Sequence, residues 1–154
     1  MIELLCSCDP SAVAAWIQAI PFEAWPQQTR LADGKIRPAM VTDLRWHGFG
    51  EATDALIEWL RPVVWMGGIA FNRMLSVVMP GHSIDPHRDA QHERWITRVH
   101  VPLTTNPLAS FVVEDVSHHL EVGWAYKVDT RKTHAVRNDG GTPRIHLMFD
   151  VMRP

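Results

Sequence analysis

The 154-residue chain has two cysteines, one tyrosine and almost no net charge, −2 with its nine histidines counted as neutral. Cys6 and Cys8 stand too close together to build a disulfide framework, so a small cross-linked secreted scaffold is excluded and a reducing, cytoplasmic setting is expected. With no basic excess there is no broad electrostatic footprint for nucleic acid, and a nucleic-acid partner is not expected. No apolar run approaches the roughly 18–20 residues that a membrane span needs. The first ten residues lack the basic start and long apolar core of a secretory signal. No repeat and no low-complexity tract is visible. What remains is 46% apolar and 21% charged, ordinary for a globular protein. The length is enough to bury a core, so one domain over residues 1–154 is expected.

Hydrophobic spacing divides that domain. Residues 2–6 read as a short strand. Asp9-Pro10 reads as a helix start. Val13, Trp16, Ile17 and Ile20 follow at helical spacing, and Pro21 stops the helix. Residues 21–49 are broken by proline and glycine. A second helix is expected over 51–60, with Ala52, Leu56, Trp59 and Leu60 on one face and Pro62 ending it. Trp16 and Trp59 are therefore expected in the core. After Gly67-Gly68 the period changes from 3.6 to 2: residues 70–79, 97–103, 111–115, 124–129 and 144–151 all alternate. Short strands separated by turns, with no helix between them, predict an antiparallel sandwich or barrel. Residues 1–69 would form a helical and loop cover, and residues 70–154 the β core.

The strand faces are chemically unequal. In 144–151, Ile145, Leu147, Phe149 and Val151 share one face, while Arg144, His146, Met148 and Asp150 share the other. Arg98 and His100 likewise oppose Val99, Val101 and Leu103. Ser76 lies on the side of the 70–79 strand opposite Leu75 and Val77. Inward polar groups are costly unless they bind something. One polar face is thus expected to line a pocket, and the apolar face to lie beneath the helices.

Two histidines and a carboxylate supply the candidate chemistry. His87 and Asp89 form a His-x-Asp pair in an expected loop rich in proline and glycine, and His134 follows later. Two imidazoles and one carboxylate can occupy one face of an iron(II) ion and leave the other open. Arg144, ten residues after His134, offers a planar cation for the far carboxylate of a keto acid, with the Ser76 hydroxyl beside it. Arg98 and His100 are candidates for the metal-side carboxylate. His82 competes with His87 as a ligand but sits near a turn, which favours a surface or rim position. His146 lines the pocket or orients a neighbour. His118-His119 reads as a solvated turn, and His92 with Glu93 and Arg94 as an exposed loop or substrate lid. Trp46, Trp65, Trp95 and Trp124 are candidate walls of the site.

These residues resemble the aspartyl/asparaginyl β-hydroxylases, a branch of the iron(II)/2-oxoglutarate oxygenases. The likeness spans Ser76 to Val151. It rests on a serine eleven residues before His87, Arg-x-His-x-Pro-Leu at 98–103, Gly-x-x-Tyr at 123–126, His-x-Val-x-Asn-Asp…Pro-Arg at 134–144, and the terminal Phe-Asp-Val. The resemblance implies a double-stranded β-helix of cupin-like type. It also implies iron(II), 2-oxoglutarate and O2 as cofactor and cosubstrates, with His87 and His134 on iron. Arg144 and Ser76 would hold the distal carboxylate of 2-oxoglutarate, and Arg98 and His100 its other end. The implied reaction hydroxylates a C–H bond of an amino-acid or peptide side chain, most simply the β-carbon of an Asp or Asn type, and releases succinate and carbon dioxide. The best-known relatives carry glycine where Asp89 stands, so a third ligand here is a departure. The alternative is a cupin-like metalloenzyme that binds its substrate directly to the metal without 2-oxoglutarate.

Overall fold

A computed structural model describes residues 1–43, 50–64, 67–89 and 93–154. Trp46, Trp65 and His92 lie outside the described residues. Strand β1 (Ile2–Ser7) leads into helix α1 (Ser11–Ala19), then β2 (Ala39–Asp43) and helix α2 (Glu51–Val64). Eight strands follow: β3 (Ile69–Val78), β4 (His82–His87), β5 (Trp95–Thr104), β6 (Ala109–Val113), β7 (Val116–His118), β8 (Trp124–Val128), β9 (His134–Asn138) and β10 (Arg144–Met152). They pair antiparallel into a six-stranded sheet, β1-β8-β5-β10-β3-β2, and a four-stranded sheet, β4-β9-β6-β7. This is the expected double-stranded β-helix.

The helices cover the outer face of the larger sheet. Val13 and Ile17 of α1, with Leu56, Ile57, Leu60 and Val64 of α2, join Leu75, Val77, Val99, Val101, Leu147, Phe149 and Val151 in one buried cluster. Each such side chain contributes about 1.5–3 kcal/mol on burial, so this contact fixes which face of β3, β5 and β10 points outward. A second cluster between the sheets contains Val78, Phe111, Val113, Tyr126, Val128 and Val136.

Three expectations about local structure change. First, α2 runs through Pro62 to Val64. Proline there removes a hydrogen bond only in the last turn, and the burial of Leu60 and Val64 holds that turn against the core. Second, Trp59 is 56% exposed. The buried stripe of α2 is Thr53, Leu56, Ile57, Leu60 and Val64, and at 3.6 residues per turn Trp59 lies roughly 120° from its centre. Third, the His87 segment is a strand. Pro86 is accommodated because β4 lies at a sheet edge, where a missing N–H is tolerated. The β4–β9 register also shifts between Ile84 and His87.

Asn138 brackets the two sheets. It is fully buried, and its Nδ2 donates to Val78 O of β3 at 2.9 Å and to Thr142 O at 2.8 Å. Its Oδ1 accepts from Asn106 Nδ2 at 2.9 Å and from the Gly140 amide at 3.2 Å. A Cβ at Gly140 would fall 1.9 Å from Asn106 Oδ1, so only glycine permits that approach.

Candidate metal and cosubstrate site

The register of β4 and β9 brings the histidines together. Past the bulge, His87 stands directly opposite His134, and opposed residues of an antiparallel pair share a face. Their rings lie 4.2 Å apart between centroids. Each histidine bonds through Nδ1 to a carbonyl two residues earlier, His87 to Asp85 O at 2.7 Å and His134 to Lys132 O at 3.0 Å. A carbonyl only accepts, so both Nδ1 atoms carry the proton and both Nε2 atoms present lone pairs. Asp89 faces them: its Oδ1 is 3.5 Å from His87 Nε2, and its Oδ2 is 3.9 Å from His134 Nε2. All three potential ligand atoms lie within 4.8 Å of one another. Neighbouring ligands on bonds of about 2.1 Å lie on the order of 3–4 Å apart, so one divalent ion fits between them with small side-chain rotations. Burial, opposed by the bond to Lys132 O, lowers the pKa of His134 and so favours the unprotonated imidazole that a metal needs.

Arg98 secures the carboxylate. Its Nη1 donates to Asp89 Oδ2. Its Nε and Nη2 form a fork with Asp150, at 2.7 Å to Oδ1 and 2.9 Å to Oδ2. Asp150 stands opposite Arg98 across β10 and β5, and it also accepts from Asn72 Nδ2 at 2.9 Å and Trp95 Nε1 at 3.3 Å. Burial works to lower the Arg98 pKa, but the hydrogen bond and charge of Asp150, with the charge of Asp89, reverse this and raise it. Three of the five guanidinium N–H donors are thus engaged with carboxylates. Asp150 as the anchor of Arg98 was not assigned from sequence. The available signal was its place on the inward face of the last strand.

A small cavity of about 40 Å³, open to solvent at one side, joins this triad to the larger sheet. Its wall includes Ser76, Arg98, His100, Phe111, His134 and Met148. Arg144 lies just behind the wall, only 2% exposed, and donates from Nη1 to Ser76 Oγ at 2.8 Å and from Nη2 to His146 Nδ1 at 2.7 Å. Its guanidinium sits 5.8 Å over the Phe111 ring, and Phe111 in turn stacks on His134 at 5.6 Å. Burial pushes the Arg144 pKa down to about 9, which leaves it charged at neutral pH. No ion pair joins Arg144 to an acidic side chain among the described residues. His100 is also sealed from solvent, with neither ring nitrogen hydrogen-bonded among the described residues. Burial, then the positive charges of Arg144 and Arg98, hold it neutral.

The remaining candidates fall elsewhere. His82 is exposed and bonds Pro80 O through Nδ1 at 2.8 Å, the surface position expected. Trp95 reaches the network through Asp150, whereas Trp124 is 36% exposed on β8. His119 bonds Ala109 O through Nδ1 at 2.9 Å rather than standing free in a turn. Cys6 and Cys8 are free thiols, and burial raises both pKa values.

The family model for aspartyl/asparaginyl β-hydroxylase matches residues 52–154, two-thirds of the chain. The protein belongs to that family. No curated protein matches the sequence. Among solved structures, the fold is similar to a collagen prolyl hydroxylase from Paramecium Bursaria Chlorella virus-1 in its 2-oxoglutarate complex. That likeness has a TM-score of 0.66 and 13% identity over 99% of this chain and 96% of that one. A Pseudomonas putida prolyl-4-hydroxylase superposes with a TM-score of 0.60 and 17% identity, covering 99% and 92%. An oxidoreductase of the 2OG-Fe(II) oxygenase family from Burkholderia pseudomallei gives 0.53 and 15%, covering 67% of this chain. The match spans 59% of that relative's length. At these identities the structural likeness is one of fold. No helix among the described residues is long and apolar enough to cross a membrane.

Proposed function

We propose that His87, Asp89 and His134 hold iron(II), and that the cavity beside them takes 2-oxoglutarate, with Arg144 and Ser76 at its distal carboxylate. His100 and the two uncommitted N–H donors of Arg98 would receive the metal-side carboxylate. The observation that carries this reading is the buried, charged guanidinium of Arg144, which has no carboxylate partner among the described residues and lies one side chain away from the histidine pair. A buried cation without an anion is costly, and a dicarboxylate with one end at the metal would relieve it. A cupin-like site that binds substrate directly to the metal has no use for such a cation.

When bound, iron(II) and 2-oxoglutarate supply the oxidising chemistry: one atom of O2 enters the substrate C–H bond and the other enters succinate, with release of carbon dioxide. This chain's residues position and exclude. The two backbone carbonyls at Asp85 and Lys132 fix the imidazole tautomers. Arg98 grips one oxygen of Asp89 and leaves Oδ1 turned toward His87. Phe111, Val136 and Met148 keep the inner wall apolar.

The substrate we favour is an Asp- or Asn-type side chain in a free amino acid or peptide, hydroxylated at its β-carbon. Arg88 offers a cation for such a side chain: it bonds Thr133 Oγ1 through Nε at 3.0 Å and, with Glu114 and Asp115, lines a depression that shares His134 with the metal site. The free thiols of Cys6 and Cys8 support a cytoplasmic setting.

Anaerobic addition of iron(II) and then 2-oxoglutarate should give a weak visible charge-transfer band. In air, a panel of Asp- and Asn-containing peptides should gain one oxygen atom by mass spectrometry, with one succinate formed per turnover. Absence of both signals counts against the assignment. In Asp89→Gly, retention of iron and full turnover would reduce the ligand set to the two histidines.

A further inference from the structure

His146 occupies the middle of the inward face of β10. It stands opposite Ser76 on one side and Pro102 on the other, and is 1% exposed. Its Nδ1 is bonded by Arg144 Nη2 at 2.7 Å. A guanidinium has donors and no acceptor, so Nδ1 must be the acceptor and the ring proton must sit on Nε2. Burial, followed by the charge of Arg144, keeps the ring in this neutral form. The Nε2–H is sealed from solvent and meets no acceptor among the described residues.

Two groups linked to that ring, Ser76 and Arg144, have donors to offer. Ser76 Oγ already accepts from Arg144 Nη1, so its own hydroxyl proton is free to turn into the cavity that Ser76 lines. The guanidinium keeps further N–H groups beyond the two in use. The His100 ring approaches His146 edge-on, with centroids 5.9 Å apart. Ser76, Arg144 and His146 thus form one linked group with donors to spare, and the nearby carboxylates of Asp89 and Asp150 are engaged by Arg98. A donor-rich group of this kind favours an anion over a carboxamide, whose NH2 would meet the hydroxyl and guanidinium donors.

We infer that His146 is a cosubstrate-binding residue: its Nε2–H donates to the distal carboxylate held by Arg144 and Ser76, while its Nδ1 fixes the orientation of the guanidinium. This rests on the reading that the cavity takes 2-oxoglutarate, and it adds a residue to that subsite. A single side chain thus does two things, and the two can be separated by substitution. Glutamine can accept from Arg144 through its carbonyl and donate through its NH2. Leucine can do neither.

The test uses zinc-loaded protein, which is diamagnetic and does not turn over. Titration calorimetry compares 2-oxoglutarate with pyruvate, a keto acid that lacks the distal carboxylate. His146→Leu should weaken 2-oxoglutarate about tenfold or more, the range of a lost charge-assisted bond, and leave pyruvate within about twofold. His146→Gln should recover most of the loss. In wild-type protein labelled with 15N-histidine, the His146 Nε2–H proton should move downfield on adding 2-oxoglutarate and not on adding pyruvate, a readout that needs no variant to fold. Equal weakening of both ligands, or an unmoved Nε2–H signal with 2-oxoglutarate bound, would overturn the role of His146 alone. Failure of wild-type protein to bind 2-oxoglutarate at all would overturn the cosubstrate reading with it.

Discussion

The two sheets present different chemistry to the cavity between them. The smaller sheet brings the two histidines, on adjacent strands β4 and β9, to a partly open mouth. The larger sheet brings Ser76, His100, Arg144 and His146 from β3, β5 and β10, all buried. In the first, each ring is oriented by its own chain two residues back. In the second, orientation depends on cross-strand neighbours, Arg144 with Ser76 and Arg98 with Asp150. Groups that exchange ligands can sit in a local, accessible frame, whereas a lone buried cation needs a whole packed sheet to hold it in place.

That contrast can be broken from either side. His134→Ala removes a proposed ligand from the smaller sheet and should abolish stoichiometric iron binding, measured by metal analysis after desalting, while the far-ultraviolet spectrum is kept. Arg144→Met should retain iron but raise the 2-oxoglutarate concentration needed for the charge-transfer band by about a hundredfold, as expected for loss of a buried charge-assisted pair. If Arg144→Met also loses iron, the division between the sheets is wrong.

Asn138 tests whether the sheets depend on each other. Asn138→Ala leaves Val78 O and Thr142 O without that donor, and should cost about 2–4 kcal/mol in urea unfolding. A loss below about 0.5 kcal/mol would show that the sheets hold together without the bracket.

The buried imidazoles make stability depend on acid. His100 and His146 both have folded-state pKa values well below the ordinary 6.5. Below about pH 6.5 the unfolded chain takes up protons that the folded chain refuses, so their stabilisation is present above that pH and is lost as pH falls. In metal-free protein, His146→Leu should reduce the slope of unfolding free energy between pH 6 and 5 by up to about 1.4 kcal/mol per unit. An unchanged slope would mean that His146 is not held neutral.

The smallest effect is expected on the outer face. Trp59→Ser should change stability by less than about 0.5 kcal/mol, against about 3–5 kcal/mol for Phe149→Ala beneath the same helices. A large loss at Trp59 would restore it to the core.

The strands of the larger sheet were readable because β3, β5 and β10 have one apolar face against helices and one polar face toward a cavity, so burial imprints a period of two. Strand β4 was not, because it is an edge strand with mostly exposed residues and a proline, and nothing buried marks its alternation. Trp59 misled because any large apolar residue near a stripe reads as part of it. At the site, His87, Asp89, His134 and Arg144 were visible as residue types at suggestive spacings. The partnership of Arg98 with Asp150, and the bond from Arg144 to His146, depend on cross-strand register and side-chain direction. Those are set by packing across the whole sheet and leave no local mark.

The polar layer between the sheets is electrically balanced before anything enters it. Counted together, the two guanidiniums of Arg98 and Arg144 equal the two carboxylates of Asp89 and Asp150, though only Arg98 touches them, and burial keeps His100 and His146 uncharged. A divalent cation arriving alone would upset that neutrality, and a doubly negative keto acid arriving with it would restore it. Occupancy by the pair is therefore favoured over either guest by itself, so metal retention in this fold should rise with the concentration of its organic companion.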